Sequence, residues 1–537
     1  MNFRTMKEIA SYVIAGLSIV LTLYVVLFLE PGYYHADCTD TLMWAGASFD
    51  AGNFINTDFR YAALMPMGGN LLMWPWIAVF GLGMKAQIAG MVMFFALFVL
   101  TIVAICRQLK WNWDTTALAL ALVLVLTSSS GKMREIFWGH IIYYSLGACL
   151  AMAILATALR LRRTLIKNRN RFQRNQIVWI VLLIILTFLS GVNGFQIAAI
   201  SSVPVFGAFA AQMFLNFRKS ATFEKNKANY YTMAVMLGGI GLGILSIAVF
   251  TRGITAGYAA AYSTFSEVEE WTENLLSIPT NLFTLMGVYL EGDTILYSGA
   301  GMWILLRIIA TVTLFGTPIV MLFHYQKIRI VEYKILLLTH HLMAVVILVG
   351  WIFGKLNAAD WRLSPLVVTA ALCCVVAIKE LQGIRNLKRV GNLIAIPLGL
   401  MMLLIAIHCI TIPNQSEENK AIEEVIGVLE RADLDYGYAT FWNANLITMM
   451  SDSKVKVRGV KFEEEGIIPE TYQTNQNWYG KSGAHKKSFL LMDTSEYNEF
   501  LEMIDNSEKI IEQKQCGDYL ILIYEGNIFN GVENAVY

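Results

Sequence analysis

The stretch YYHADCTDTLMWAGASFDAGNFINTDFRYAALMPMGGNLLMWP, Tyr33 to Pro75, lies between the first two long apolar segments of the chain. Its carboxylates are those of Asp37, Asp40, Asp50 and Asp58. Asp37, Asp40 and Trp44 follow i, i+3, i+7 spacing, so a helix that begins near Asp37 carries two acids and an indole on one face. The stretch therefore predicts an acidic, aromatic surface at the edge of a membrane.

The composition around this stretch is that of a membrane protein. The 537 residues are 56% hydrophobic and 15% charged, with a mean hydropathy of +0.53. In a soluble domain, about one half of the residues are hydrophobic and about one quarter are charged. We therefore predict a polytopic α-helical membrane protein that has membrane lipid, and not nucleic acid, as a partner.

Eleven membrane crossings are predicted from the apolar runs, each close to the length that a bilayer requires. They lie at about 9–29, 86–106, 115–130, 137–160, 177–192, 196–217, 231–250, 302–323, 335–354, 364–379 and 391–411. Met65 to Met84 is interrupted by prolines and glycines, and a crossing there would leave the basic loop Arg160 to Arg174 outside. We interpret it as a surface helix on the outer side. With Arg4 and Lys7 before the first crossing, the N-terminus is expected in the cytoplasm and the C-terminus outside the plasma membrane.

Two domains are expected. Residues 1–412 form the membrane domain, with juxtamembrane helices in an outer loop at 30–85. Residues 413–537 carry 11 Lys/Arg against 22 Asp/Glu, which leaves 30 against 18 for the rest. Their alternating strands and a helix over Ser416 to Arg431, capped by Ser416, predict a small soluble α/β domain outside the cell.

Asp37 is the first candidate for chemistry. A carboxylate at the bilayer edge is partly desolvated, so it can act as a general base on an acceptor hydroxyl or amine. The same spacing also fits a surface carboxylate that caps an amphipathic helix. Asp40 is a candidate to orient the acceptor, to hold a metal together with Asp37, or to be solvated.

A second group of polar residues surrounds Glu135 in the run GKMREIFWGHIIYY, at the outer boundary of a predicted crossing. Glu135 is a candidate second catalytic acid, and Lys132, Arg134 and His140 are candidate substrate-binding residues. A snorkelling interfacial cluster is the alternative. Arg362, in AADWRLSPL, and Arg60 are candidates for binding a phosphate group or for interfacial anchoring.

These motifs resemble the GT-C fold membrane glycosyltransferases, in particular the branch of the protein O-mannosyltransferases and the lipid A aminoarabinose transferases. The resembling residues are Asp37, Gly52 fifteen positions later, Pro66, and the run from Asn70 to Gly81. The resemblance implies that Asp37 is the catalytic base, that Arg362 helps to bind the donor phosphate, and that Glu135 is the second outer acid. Cys38 stands where the family usually has Glu, so the role of that acid is unassigned; Asp40 is a hypothetical replacement.

The resemblance implies transfer of a sugar, with inversion, from a polyprenyl-phosphate donor to an extracytoplasmic acceptor, a cell-wall polymer, a lipid or a protein of the bacterial cell envelope. No cofactor is assigned, and the binding of a divalent metal ion is left as an alternative.

Two other functions compete with sugar transfer. A lipid-linked glycan flippase should have many ionisable residues within its crossings. A glycan polymerase or ligase should have more arginine and histidine in the outer loop from Thr251 to Gly301. This loop has one arginine, Arg252, and no histidine.

Overall fold

A computed structural model covers the chain and describes residues 3–61, 67–168, 173–217, 223–250, 264–290, 292, 294–355, 359–383, 388–463, 466–479, 487–500 and 510–528. The chain packs as two compact units. The first unit comprises Met1–Val25, Phe95–Val249 and Ala261–Ile412, and the second comprises Val26–Phe94, Phe250–Ala260 and Pro413–Tyr537. The predicted outer loop thus belongs to the same unit as the C-terminal tail. That residues 1–412 form the catalytic membrane domain and residues 413–537 a separate soluble domain stays a prediction.

Nineteen α-helices are formed by the described residues. They are α1 Phe3–Tyr24, α2 Asp40–Ala51, α3 Gly69–Phe80, α4 Met84–Gln108, α5 Trp113–Leu126, α6 Gly131–Arg134, α7 Tyr143–Lys167, α8 Arg174–Val192, α9 Gly194–Ile200, α10 Ser202–Phe217, α11 Phe223–Phe250, α12 Glu270–Leu285, α13 Gly299–Phe323, α14 Val331–Phe353, α15 Ser364–Gln382, α16 Lys388–Thr411, α17 Glu417–Arg431, α18 Phe441–Met450 and α19 Thr494–Phe500.

Eight helices of the described chain are long and apolar enough to cross a membrane, and ten spans result if two bent helix pairs each count as one. The predicted polytopic helical fold is therefore confirmed. The predicted crossing at 177–192 corresponds to α8, whose described apolar part, Gln176–Val192, is shorter than the others. The segment interpreted as a surface helix contains α3, with Pro75 inside it, and Pro66 lies outside the described residues.

Two of the predicted crossings have other boundaries in the structure. The crossings expected at 115–130 and 137–160 are α5, which ends at Leu126, and α7, which begins at Tyr143. The helical segment Gly131–Gly139 that lies between them is bent by 115° relative to α5. Ser128, Ser129 and Ser130 interrupt the apolar pattern, and the Ser130 hydroxyl accepts a hydrogen bond from the Met133 amide at 3.1 Å, which caps α6.

Small residues allow α8 and α11 to approach each other closely. A Cβ atom at Gly239 would lie 2.0 Å from Thr187 Oγ1, and one at Gly243 would lie 2.6 Å from the Phe188 carbonyl oxygen. Close backbone approach is a common way for membrane helices to pack, because apolar side chains gain little by leaving lipid. The glycines of α11 thus have a packing role.

The tail forms a six-stranded sheet in the order β4-β3-β2-β6-β8-β7. Its strands are β2 Tyr436–Ala439, β3 Lys456–Glu463, β4 Gly466–Pro469, β6 Lys487–Asp493, β7 Ile510–Cys516 and β8 Tyr519–Glu525. Strand β2 pairs in parallel with β3 and β6, and α18 connects β2 to β3. The α/β prediction is confirmed, including the cap of α17 by Ser416. The strands predicted from alternation at Tyr436–Thr440, Lys454–Val460, Ser488–Met492, Lys509–Gln513 and Tyr519–Tyr524 correspond to β2, β3, β6, β7 and β8. Lys509 lies outside the described residues, and β4 was not predicted.

A two-stranded sheet joins the tail to the first outer loop within the second unit. Strand β1, Phe59–Arg60, pairs antiparallel with β5, Thr474–Asn475. Such long-range pairing is not visible in local sequence patterns. It fixes the loop that follows α2.

Candidate functional site

The two predicted acids of the outer loop occupy different environments. Asp37 lies in a short 3₁₀ turn, Ala36–Thr39, before α2 begins at Asp40. Its side chain is 41% exposed, and its Oδ2 lies 3.9 Å from His35 Nδ1. Asp40 and Trp44 are buried. The expected common face therefore holds for Asp40 and Trp44, and the 3₁₀ turn leaves the Asp37 carboxylate accessible to solvent.

Asp40 is a buried carboxyl group. Burial raises its pKa well above the ordinary range, and the neighbouring charge of Asp37 raises it further, while His35 acts in the opposite direction. Gln473 of the tail donates a hydrogen bond from Nε2 to Asp40 Oδ1. Gln473 is fully buried and adopts a positive φ of 58°. The Gln473 side chain thus covers the carboxyl group of Asp40.

Arg60 lies in β1, half-buried, opposite Thr474. Its carbonyl oxygen accepts a hydrogen bond from the Gln473 amide at 2.9 Å. The backbone of Arg60 thus helps to position the residue that covers Asp40. The predicted binding of substrate by Arg60 and Asp40 stays a prediction.

In the first unit, the turn around α6 and the segment before α15 come together. Lys132 Nζ lies 2.5 Å from Glu135 Oε2 and 4.9 Å from the centre of the Trp361 ring. Asp360 lies within electrostatic range of both Lys132 and Glu135. Glu135 and the segment Trp361–Leu363 are therefore neighbours, although the sequence indicated each of them as a separate candidate.

Arg362 is half-buried in a 3₁₀ turn, Asp360–Leu363, that leads into α15. The turn is closed by a hydrogen bond from its amide to the Ala359 carbonyl oxygen at 3.1 Å. Pro365 at the start of α15 fixes where the helix begins. The Arg362 guanidinium lies within electrostatic range of the Tyr144 hydroxyl, at the start of α7.

A buried arginine that the sequence analysis missed belongs to the same region. Arg307 of α13 is 3% exposed and donates from Nη1 to the carbonyl oxygens of Gly287 at 2.7 Å and Ser129 at 3.2 Å. Arg134, 4% exposed, is close enough to act electrostatically on Arg307. The available signal was a single arginine in the apolar run GMWILLRIIATV.

Tyr289 connects these groups. Tyr289 is 53% exposed, and partial burial raises the pKa of its hydroxyl; Asp360 raises it further, while a hydrogen bond with Ser130 and the charges of Arg134 and Arg307 act in the opposite direction. Among the described residues, this region of the first unit thus brings together the cations Lys132, Arg134, Arg307 and Arg362 and the acids Glu135 and Asp360. Such a set can bind an anion of two negative charges.

His140 is buried at the end of the π-helical turn Glu135–Gly139. Its amide donates to the Glu135 carbonyl oxygen at 3.3 Å, and its own carbonyl oxygen accepts from the Ser145 hydroxyl at 3.4 Å. These contacts hold the turn that carries Glu135. Substrate contact by the His140 ring stays a prediction.

An apolar cavity of about 820 Å³ lies between α1, α5, α15 and α16 of the first unit. Leu17, Leu118, Val125 and Leu403 are among its lining residues. Its lining includes Ile407 and Ile410 near the end of α16, and Val125 of α5, the residue before the one at which α5 ends and the polar turn begins. One end of this lipid-compatible cavity therefore adjoins the polar turn.

Among the residues that the structure describes, no three His, Cys, Asp or Glu side chains come together as a group that could hold a metal ion. The alternative of a metal bound by Asp37 and Asp40 stays a prediction.

Comparison with known proteins gives matches only to solved structures: no family model matches the chain, and no curated protein does. The structure of ArnT from Cupriavidus metallidurans in the apo state superimposes with a TM-score of 0.58 at 10% sequence identity, over 95% of this chain and 97% of that one. The same protein bound to undecaprenyl phosphate gives a TM-score of 0.57 at 10% identity, over 96% and 97%.

The apo oligosaccharyltransferase from Archaeoglobus fulgidus gives a TM-score of 0.50 at 11% identity, over 90% of this chain and 70% of that one. These proteins are membrane glycosyltransferases of the GT-C type. The resemblance inferred from the outer-loop motif is thereby confirmed at the level of the fold. This chain has the GT-C fold of membrane glycosyltransferases.

Proposed function

We propose that this protein is a glycosyltransferase that moves a sugar from a polyprenyl-phosphate donor to an acceptor outside the plasma membrane. The observation that carries the proposal is the cluster formed by Lys132, Glu135 and the Asp360–Leu363 turn, in a chain whose fold matches that of an undecaprenyl-phosphate-binding ArnT. The fold alone does not specify a reaction, so the side chains must support it.

We assign the binding of the donor phosphate to four cations of the first unit. Arg362 and Lys132 are half-buried, so a phosphate that they bind is partly removed from water, where charge-assisted hydrogen bonds are strongest. Arg307 and Arg134 lie deeper and add positive potential. The apolar cavity beside the polar turn supplies a place for a polyprenyl chain.

The proposed reaction is a displacement at the anomeric carbon. The acceptor oxygen forms a bond to that carbon as the bond to the phosphate oxygen breaks, so the configuration inverts. The electron pair of the broken bond stays on the phosphate, where arginine and lysine stabilise the developing charge. Asp37 takes the proton of the acceptor hydroxyl or amine, and the products are the glycosylated acceptor and polyprenyl phosphate. Asp37 fits this role because its carboxylate is accessible to solvent.

The direct test uses purified protein in lipid vesicles with a panel of radiolabelled polyprenyl-phosphate monosaccharides and cell-envelope extract as the acceptor. We expect label to move to the extract, with release of polyprenyl phosphate, for at least one donor. Movement of labelled lipid between leaflets without any transfer would support the flippase alternative and overturn the proposal. Consumption of a diphosphate-linked glycan alone would support a polymerase or ligase.

A further inference from the structure

A second cavity, with a polar lining, lies within the second unit, at the end of α2. Its volume is about 430 Å³, within the range of about 300–1,000 Å³ that is usual for small-molecule sites. Polar side chains line it: Asp50, Asn53, Thr57, Asp58, Asn475 and Asn477. They come from two segments more than 400 residues apart in sequence, which strands β1 and β5 hold together.

The walls of the cavity are fixed by hydrogen bonds. Asn477 donates from Nδ2 to Asp58 Oδ2 at 2.9 Å, and its amide donates to Asn475 Oδ1 at 2.9 Å. On the loop side, the Asn56 side chain donates to the Ala47 carbonyl oxygen at 3.0 Å and accepts from the Asp58 amide at 3.0 Å. A site whose side chains are already ordered loses little conformational entropy on binding.

The chemistry of the lining favours a neutral ligand with many hydroxyl groups. Amide and hydroxyl groups both donate and accept hydrogen bonds, and carboxylates accept two or more. None of the lining residues in the described chain is Lys, Arg or His, and the nearby Arg458 and Lys456 already act on Asp50, so a phosphate group would meet two carboxylates in the wall and no cation there. The polar lining also disfavours an apolar ligand.

Asp50 lines the cavity from the end of α2. It lies in the last turn of α2, where a negative charge opposes the helix dipole. Partial burial raises the pKa of its carboxyl group, with Arg458 and Lys456 acting in the opposite direction. The helix dipole and partial burial disfavour a carboxylate at this exposed position, the two cations favour it, and its oxygen atoms are accessible to a ligand.

We propose that this cavity binds one end of a neutral oligosaccharide, which serves as the acceptor; the acceptor role rests on the function proposed above. Helix α2 runs from Asp40, next to Asp37, to Ala51 in the cavity wall, and its 12 residues span about 18 Å. An acceptor that reaches both the base and the cavity must contain several sugar units. Its remote units provide binding energy at a distance from the reacting hydroxyl.

The test measures binding of neutral trisaccharides to the full-length protein in nanodiscs, without donor. Maltotriose, mannotriose, chitotriose and Ca²⁺ are titrated separately, with saturation-transfer NMR for the sugars and calorimetry for Ca²⁺. We expect at least one trisaccharide to bind, and Asp50→Ala and Asn53→Ala to weaken that binding by about tenfold each, the factor that corresponds to one lost hydrogen bond.

Trp442→Ala is the matched control, because Trp442 is a 60% exposed aromatic residue of the same unit and does not line this cavity. Its variant should bind the sugar normally. Loss of binding in Trp442→Ala with retention in Asp50→Ala would overturn the inference, as would binding of Ca²⁺ alone or of no trisaccharide. A melting curve like that of the wild type shows that Asp50→Ala is folded.

The outcome separates this inference from the proposed function. Sugar transfer without trisaccharide binding would overturn the cavity assignment and leave the transferase proposal standing. Trisaccharide binding without any transfer would leave a saccharide site in a protein of another function.

Discussion

The Lys132 ammonium group lies 2.5 Å from a carboxylate oxygen of Glu135 and 4.9 Å from the centre of the Trp361 ring. It therefore joins two segments that are more than 200 residues apart in sequence. Glu135 is only 12% exposed, so this ion pair is screened less by water than a surface pair.

Substitutions of Lys132 and Glu135 should affect donor binding and transfer differently. Lys132→Met should weaken donor binding, because it removes a cation assigned to the phosphate, at a cost of about 1.5–3 kcal/mol for a charged hydrogen bond. Glu135→Gln should retain donor binding and slow transfer. Donor affinity is measured with a non-transferable polyprenyl phosphate, and turnover by release of label. Equal loss of donor affinity in both variants, with unchanged turnover at saturation, would contradict a catalytic role of Glu135.

Arg362→Ala should weaken donor binding by about 10- to 150-fold, the range that corresponds to a charge-assisted hydrogen bond. Arg362→Lys should restore only part of the affinity, because an ammonium group cannot form the two parallel hydrogen bonds of a guanidinium. Lys327→Ala is the control, since Lys327 is an exposed cation of the same unit. Donor affinity that is unchanged in Arg362→Ala would remove this residue from the phosphate site.

Gly287 determines where Arg307 lies, which gives a third prediction. A Cβ atom at Gly287 would lie 1.9 Å from Arg307 Nη1, and the φ angle of +76° disfavours any other residue. Gly287→Ala should therefore displace Arg307, lower the melting temperature and weaken donor binding. Gly299→Ala is the control, because a Cβ atom there meets no atom within 4 Å. Wild-type stability and affinity in Gly287→Ala would show that Arg307 is not held as described.

The buried Asp40 gives a prediction on pH. Its pKa is raised in the folded protein, so the folded state binds more protons than the unfolded state once the pH exceeds about 4, the usual pKa of aspartic acid. Its contribution to stability is present below that pH and is lost as the pH rises towards the folded-state pKa. Asp40→Asn should therefore raise the melting temperature at neutral pH and flatten its pH dependence. A variant that melts lower at pH 7 would indicate that Asp40 is ionised and stabilising.

Much of the fold could be predicted from the sequence because bilayer-length apolar runs and alternating strands are local signals. The turn between the crossings predicted at 115–130 and 137–160 was expected, but its length was underestimated, because the apolar residues Ile136 to Trp138 extend the hydropathy pattern into it. The pairing of β1 with β5, and of Gln473 with Asp40, depends on contacts between distant segments. Arg307 was missed because one arginine in an apolar run gives no indication of its partners. Glu135 and Arg362 were identified because charges at helix ends are conspicuous in such a chain.

The proposed transfer from a lipid-phosphate donor depends above all on Asp37 as the general base. The most direct measurement compares wild type, Asp37→Asn and the control Asp518→Asn, an exposed acid of the same unit, in the vesicle transfer assay. We predict that Asp37→Asn lowers turnover by about 10²- to 10⁴-fold, the usual contribution of a general base, with donor binding and melting temperature unchanged. Full turnover in Asp37→Asn would exclude Asp37 as the general base.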